Sequence, residues 1–234
     1  MKVAFITPTR SRPSAGFLAA MEASVPLIEA AGHDCCSVFR VGHPYISVSR
    51  SQMFSQAIIA GADCIVSIDD DLSWRPKDLL RLIETEADVC GGTYRYRKDA
   101  EEYMGALNVD ADDLPIVRPD GALSVNRLPG GFLKLTRAAV DRFSEAYPEL
   151  VYGKGHGMEP GVDLFNHGAI DGVWYGEDYA FCKRWLERCG DLWLVPDLTI
   201  THHGWDGVDY AGNFHDFMLR QPGGSREGEA PAWL

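Results

Sequence analysis

Two periodicities share the first half of the chain. Residues 2–7 form a short apolar, β-branched run, whereas 16–31 carry Phe17, Leu18, Met21, Val25, Leu27 and Ile28 at helical spacing. Recurrence at three and four residues marks one face of a helix, and an unbroken apolar run marks a strand covered on both faces. Gly32 closes the helix, as a residue tolerant of positive φ does at that position. Residues 34–41 form a second strand. Residues 47–60 form a second helix with Met53, Phe54, Ala57 and Ile58 as its stripe, and 64–68 form a third strand after a Gly61-Ala62-Asp63 lead-in. The chain therefore starts βαβαβ, which predicts a parallel sheet with right-handed crossovers.

The pattern continues less regularly. Pro76 starts a helix through Leu79, Leu80, Leu82 and Ile83, and 88–93 form a fourth strand ending in Gly91-Gly92. Residues 100–127 are acidic and weakly periodic, with turns at Pro115 and Pro119-Asp120-Gly121, which predicts short strands in a surface excursion. A strand follows over 128–135, then a helix from Thr136 through Phe143. Residues 152–173 are Gly-rich and read as a mobile loop over a site. A helix entered at Gly176-Glu177-Asp178 buries Phe181, Cys182, Trp185, Leu186 and Cys189. Strands at 192–195 and 198–201 come last.

With 234 residues, 46% of them hydrophobic, the chain can build one sizeable core. We expect one domain over 1–220 and a loosely held tail over 221–234. A net charge of -12 and a pI near 4.9 argue against a surface that gathers polyanions, so a modified DNA acceptor is not favoured. Any bound phosphate must be held by local Arg, Lys or metal. The six cysteines include no CxxC pair, which suggests neither a zinc knuckle nor a redox motif. The first residues run straight into a strand without a signal-peptide h-region, and no apolar run reaches membrane-spanning length. The expectation is a protein of the reducing cytoplasm with no membrane partner.

The third strand ends in Asp69-Asp70-Asp71. In open α/β sheets, ligands sit beyond the carboxyl ends of the strands. Extended geometry would put Asp69 and Asp71 on one side, where two carboxylates repel unless a cation separates them, and a hard divalent metal does this most simply. The plainer reading is an acidic turn, with Asp71 or Ser73 capping the helix at Pro76. Thr7-Pro8-Thr9-Arg10-Ser11-Arg12-Pro13, Pro-bounded, hydroxyl-rich and basic, suits a nucleotide's phosphate or base, or is an ordinary βα turn. Arg50 sits in a first helical turn, where a cation opposes the dipole and needs a phosphate or carboxylate partner. Bases and aromatics interleave in Tyr94-Arg95-Tyr96-Arg97-Lys98, which allows stacking and phosphate contact or is a solvated loop. Gly130 and Gly131 permit a substrate to lie against the backbone, or mark a bulge. The macrodipole alone accounts for Glu177 and Asp178.

Taken in order, these motifs resemble the GT-A glycosyltransferases, particularly the family-2-like and small viral or bacterial members. The matching pieces are Thr7-Pro8-Thr9-Arg10, Ser49-Arg50-Ser51, Asp69-Asp70-Asp71, Gly130-Gly131-Phe132, Gly176-Glu177-Asp178 and His202-His203-Gly204, spread over nearly the whole chain. The resemblance implies an α/β, GT-A-like single domain with a Rossmann-like, mainly parallel sheet flanked by helices. It implies a nucleotide-diphosphate-sugar donor, a UDP- or GDP-sugar, held by Thr7, Pro8, Thr9, Arg10, Arg50, Asp69, Asp70, Gly130 and Gly131. It places Mn²⁺ or Mg²⁺ on Asp71 and His202, with His203 the alternative ligand, and gives Asp178 or Glu177 the role of base on an acceptor hydroxyl. The acceptor is a glycan, a protein, a lipid-linked sugar or a modified nucleic-acid base. Lys183-Arg184-Trp185 matches only the end of the QxxRW-type motif of processive members, and it lies inside the Glu-Asp helix. The competing readings are a metal-dependent nucleotidyltransferase, which lacks a Gly-rich phosphate loop with Lys, and a nucleotide-sugar-binding protein without turnover.

Overall fold

The computed structural model describes residues 1–153 and 160–221. The first elements follow the predicted order: β1 (Lys2–Thr9), α1 (Ala15–Ala30), β2 (Asp34–Val41), α2 (Ile46–Ile59) and β3 (Cys64–Ile68). Ser14 caps α1 by accepting the Phe17 N–H at 3.1 Å, and Gly32, with φ of +87°, follows its end. Next come β4 (Leu72–Trp74), α3 (Pro76–Glu84), β5 (Val89–Gly91), β6 (Ala106–Leu107), β7 (Leu123–Arg127), β8 (Phe132–Thr136) and α4 (Arg137–Ala146). The C-terminal third holds β9 (Val151–Tyr152), β10 (Gly161–Val162), β11 (Gly168–Ile170), β12 (Val173–Tyr175), α5 (Glu177–Arg188), β13 (Leu192–Leu194), β14 (Thr199–His203), β15 (Asp209–Asn213) and α6 (Phe214–Arg220).

An eight-stranded sheet in the order β2-β1-β3-β8-β5-β13-β7-β6 runs through the protein. β8 runs against β3 and β5, and β7 runs against β13 and β6, so the other six strands share one direction. This is the mainly parallel α/β architecture expected from the sequence. β1 has β2 on one side and β3 on the other, so the strand order reverses there and leaves a crevice past their carboxyl ends.

The apolar strands are unbroken because both faces of the sheet are covered. In β1, Val3 and Phe5 face one core with Phe17 and Ile28 of α1 and Leu79 and Leu82 of α3, while Ala4 and Ile6 face another with Phe54 of α2, Phe143 of α4 and Phe181 of α5. Buried Lys134 in β8 donates its Nζ to the Ile83 carbonyl at 3.2 Å, one of the last carbonyls of α3. All six cysteines are free, and burial pushes the thiols of Cys64 and Cys182 up to about 12 and that of Cys90 up to about 11.

Two expectations are corrected. Neither Asp71 nor Ser73 caps α3, whose N-cap is Arg75 without a side-chain bond. Instead Leu72–Trp74 turns back as β4 and joins β14 and β15 in a separate three-stranded sheet. The 152–173 segment is not simply a loop: Val162, Leu164 and Phe165 are buried, and Phe165 lies 5.5 Å from Phe54 and 5.3 Å from Phe181 between ring centroids. Serines on α2 receive its backbone, Ser55 Oγ accepting the Val162 N–H and Ser51 Oγ the Phe165 N–H, both at 3.3 Å. Residues 154–159 of that segment lie outside the described residues. The expected tail does too, apart from Gln221. At the end of the expected domain, Phe214 and Phe217 of α6 pack on Tyr103. Among the described residues no helix is long and apolar enough to cross a membrane.

Candidate active site at the strand-order reversal

The acidic run is a turn. β3 stops at Ile68, and the Leu72 N–H returns to the Asp69 carbonyl at 3.2 Å. The extended, same-side arrangement of Asp69 and Asp71 therefore does not form, and each carboxylate takes a different partner. Asp69 Oδ1 accepts Arg50 Nη2 at 2.6 Å. Asp70 accepts the Thr9 hydroxyl, and its carbonyl accepts the Ser14 N–H at 2.8 Å, which stitches the turn to the loop after β1. Asp71 accepts Arg97 and faces His202 Nε2 at 3.8 Å. The β4–β14 register brings this about: Leu72 pairs with His202, and the His203 N–H donates to the Asp71 carbonyl at 2.8 Å.

A cleft of about 950 Å³ opens at this point, lined by Pro8–Arg12 and Ser14 on one wall, Asp69–Asp71 and Arg97 on another, with His43, Ser49, His203 and Trp205 around it. Its volume lies in the range of small-molecule and cofactor sites. Of the predicted donor residues, Pro8, Thr9, Arg10, Asp69 and Asp70 line it, as does Asp71. Thr7 is buried in β1, paired with Phe39, and is not part of the lining.

Arg50, Gly130, Gly131, Glu177 and Asp178 form a second group, behind Asp69 rather than in the cleft wall. Arg50 is 1% exposed and answers to carboxylates rather than phosphate, with Nη2 on Asp69 and Nη1 on Glu177 Oε1 at 2.8 Å. Its guanidinium lies 5.4 Å from the Phe165 ring centroid. Burial works against the charge, but Asp69 and Glu177 outweigh it and raise the Arg50 pKa. Gly130 and Gly131 serve this cluster. A Cβ on Gly130 would come within 2.7 Å of Arg50 Nη1, and one on Gly131 would collide with the Asp69 carboxylate and the Tyr94 hydroxyl. Their close approach is thus to the chain's own side chains.

Glu177 and Asp178 occupy the first turn of α5. Asp178 Oδ1 accepts the Tyr179 N–H at 2.8 Å and Oδ2 the Gly130 N–H at 3.3 Å. Burial raises its carboxyl pKa, and the neighbouring Glu177 charge adds to the effect.

The two histidines differ in what their nitrogens are free to do. His203 lines the cleft, but its Nδ1 contacts Asp209 at 2.7 Å and its Nε2 contacts Ser73 Oγ at 2.8 Å. His202 Nδ1 lies 2.8 Å from the Arg95 carbonyl, which can only accept, so Nδ1 carries the hydrogen. Burial lowers the His202 pKa and Arg97 adds to this, against the Arg95 carbonyl and Asp69, and Nε2 faces Asp71 at 3.8 Å. A backbone carbonyl that accepts from the far ring nitrogen and fixes the tautomer is how metal-binding imidazoles are oriented. Among the described residues no group of three or more His, Cys, Asp or Glu side chains gathers around one point. Asp71 and His202 are the pair that could hold a divalent cation here, and two protein ligands would fit Mg²⁺ or Mn²⁺ completed by water and a phosphate.

A scan against protein-family models finds no match, and a search of curated proteins finds none. Among solved structures the chain is similar to the crystal structure of A197 from STIV, at 15% identity over 91% of this chain and 95% of that one, with a TM-score of 0.49. It is also similar to the crystal structure of GalNAc-T7 with UDP, GalNAc and Mn²⁺, at 9% identity over 86% of this chain and 43% of that one, again with a TM-score of 0.49.

Arg12 belongs to the loop marked from the sequence, whereas sequence reasoning did not single out Ser14, His43 or Trp205 of the cleft, and it gave Arg97 no partner. Position relative to a strand end was the available signal for Ser14, which directly follows the loop that was marked. Trp205 gave a weaker one, a large aromatic beside a Gly after the histidine pair.

Proposed function

We propose that the protein is a divalent-metal-dependent glycosyltransferase that moves a sugar from a nucleotide-diphosphate-sugar donor to an acceptor hydroxyl. The observation that carries this reading is the place of the cleft: at the strand-order reversal between β1 and β3, walled by a hydroxyl-rich basic loop and by the acidic turn. Arg10, Arg12 and Arg97 formally balance Asp69, Asp70 and Asp71 in its lining. A diphosphate entering it brings net negative charge, and a divalent cation offsets that charge.

The residues take these roles in the proposal. Thr9, Arg10 and Arg12 face the nucleotide and its phosphates, and Asp70 fixes the Thr9 hydroxyl. Asp71 and His202 hold Mn²⁺ or Mg²⁺, which when bound would neutralise charge developing on the departing diphosphate. Asp178 takes the proton of the acceptor hydroxyl as the oxygen bonds to the anomeric carbon and the diphosphate leaves with the electron pair of the broken C–O bond. Burial makes Asp178 a stronger base than an ordinary aspartate, whereas Glu177 is engaged by Arg50. Arg50 is assigned to positioning rather than to donor contact, since it holds Asp69 and Glu177 in one geometry.

The cation role has a direct test. Asp71→Ala should abolish the Mn²⁺-dependent part of UDP or GDP affinity in calorimetry and leave the far-UV circular dichroism unchanged, because this carboxylate serves the cleft and not the core. Unchanged Mn²⁺-dependent affinity would remove Asp71 from the cation site.

A further inference from the structure

Among the described residues, Arg97 is the one cation of the cleft that already sits on the carboxylate assigned to the metal. Its surroundings are unusual for a permanent ion pair. The guanidinium lies 5.6 Å from the ring centroid of Trp205, which is 77% exposed and lines the same cleft. The Arg97 Nε is buried without a partner among the described residues, so part of the donor fork is unused there. The backbone around it is held, with the Tyr96 N–H on the Glu102 carbonyl and the Lys98 N–H on the Tyr96 carbonyl, both at 2.9 Å. Only the side chain is therefore free to change partners, and an aromatic platform lies beside it.

We propose that Arg97 is an internal counter-ion that holds the cation's place on Asp71 and passes to the donor diphosphate when the cation arrives. Two anions and two cations then exchange partners within one cleft: Asp71 trades guanidinium for Mn²⁺ or Mg²⁺, and Arg97 trades a carboxylate for phosphate oxygens while its plane stays on Trp205. An arginine fork matches both oxyanions bidentately, so the exchange replaces like with like. The empty cleft is thereby spared an uncompensated acidic turn, and cation and donor binding become coupled through one side chain. The inference rests on the cation and donor reading given above.

Coupling of this kind predicts effects of opposite sign in one variant. Arg97→Gln, measured by calorimetry on the full chain, should bind Mn²⁺ alone about ten-fold more tightly, because a competing charge has gone from Asp71. In saturating Mn²⁺ the same variant should bind UDP or GDP about ten-fold more weakly, because a charge-assisted phosphate contact is lost. Arg97→Lys keeps the charge and should hold Mn²⁺ affinity near the wild-type value. If wild-type protein binds Mn²⁺ and Arg97→Gln binds it no more tightly, the exchange is overturned while the cation site stands. If wild-type protein binds no Mn²⁺, the cation site itself is overturned, and the exchange with it.

Discussion

Arg50→Met is expected to lower the unfolding free energy by about 3 kcal/mol, the largest stability effect of any single change at this site. Breaking a buried ion pair from one side costs about 3–5 kcal/mol, because the remaining charge stays uncompensated. Here two carboxylates lose their partner, Asp69 and Glu177, although their side chains are 27% and 22% exposed and water relieves part of the penalty. The lower end of the range therefore applies. Methionine keeps the volume against Phe165, so the loss reports charge rather than a cavity. Arg50→Lys should recover little of it, since one ammonium cannot reproduce two separate Nη contacts. Urea titration checks this as a lower midpoint at unchanged slope. A loss below about 1 kcal/mol would place Arg50 among surface-type ion pairs and end its role as the hub.

Asp178→Asn carries the largest expected effect on rate. With donor saturating, turnover should fall by about 10²- to 10⁴-fold, because an amide cannot take the proton of the acceptor hydroxyl. The dipole alone would predict a stability change of only about 0.3–1 kcal/mol. The structure adds to this, because Asp178 accepts backbone N–H groups from both Tyr179 and Gly130 and an amide oxygen can satisfy only one of them. A further loss of about 1–3 kcal/mol follows from the unsatisfied group.

The pH dependence of Asp178 has a definite sign. Its folded pKa is raised above the ordinary 3.8, so the wild-type rate should climb with pH through a limb above that value and then level off as the carboxylate becomes the working base. For stability, the raised folded value means that ionising Asp178 disfavours the fold, so this group's contribution is most favourable at low pH and declines as pH rises through the interval. Asp178→Asn should remove the limb. A stable Asp178→Asn protein that transfers sugar at the wild-type rate would take Asp178 out of the chemistry and leave it as a helix-terminal anchor for Gly130.

What could be read from the sequence follows from how each signal is written. β1 and β3 were legible because both faces of those strands are buried, which leaves unbroken apolar runs, and the helices between them close at Gly32 and Gly61; β2, the edge strand, was placed by that alternation rather than by its own burial. The acidic turn was legible as a location but not as a geometry. Three residues, Leu72 to Trp74, are too few to show a period, and their pairing partner β14 lies far along the chain. Arg50 was rightly marked as needing an anionic partner, yet Glu177 is 127 residues away and nothing local to Arg50 names it. Glycines hid the packed part of the 152–173 segment, because the burial of Val162, Leu164 and Phe165 depends on serines of α2 that look like a polar helix face. Arg97 was noticed for the aromatics around it rather than for Asp71, which only the folded turn brings within reach.

The central claim is that the cleft transfers sugar, and turnover of labelled nucleotide sugars tests it most directly. Purified protein with Mn²⁺ should release nucleoside diphosphate from at least one UDP- or GDP-sugar, slowly with water as acceptor and faster when a suitable hydroxyl is supplied, and Asp71→Ala protein should not. Release of pyrophosphate instead would mark a nucleotidyltransferase, and tight nucleotide-sugar binding without release of either product would contradict transfer altogether.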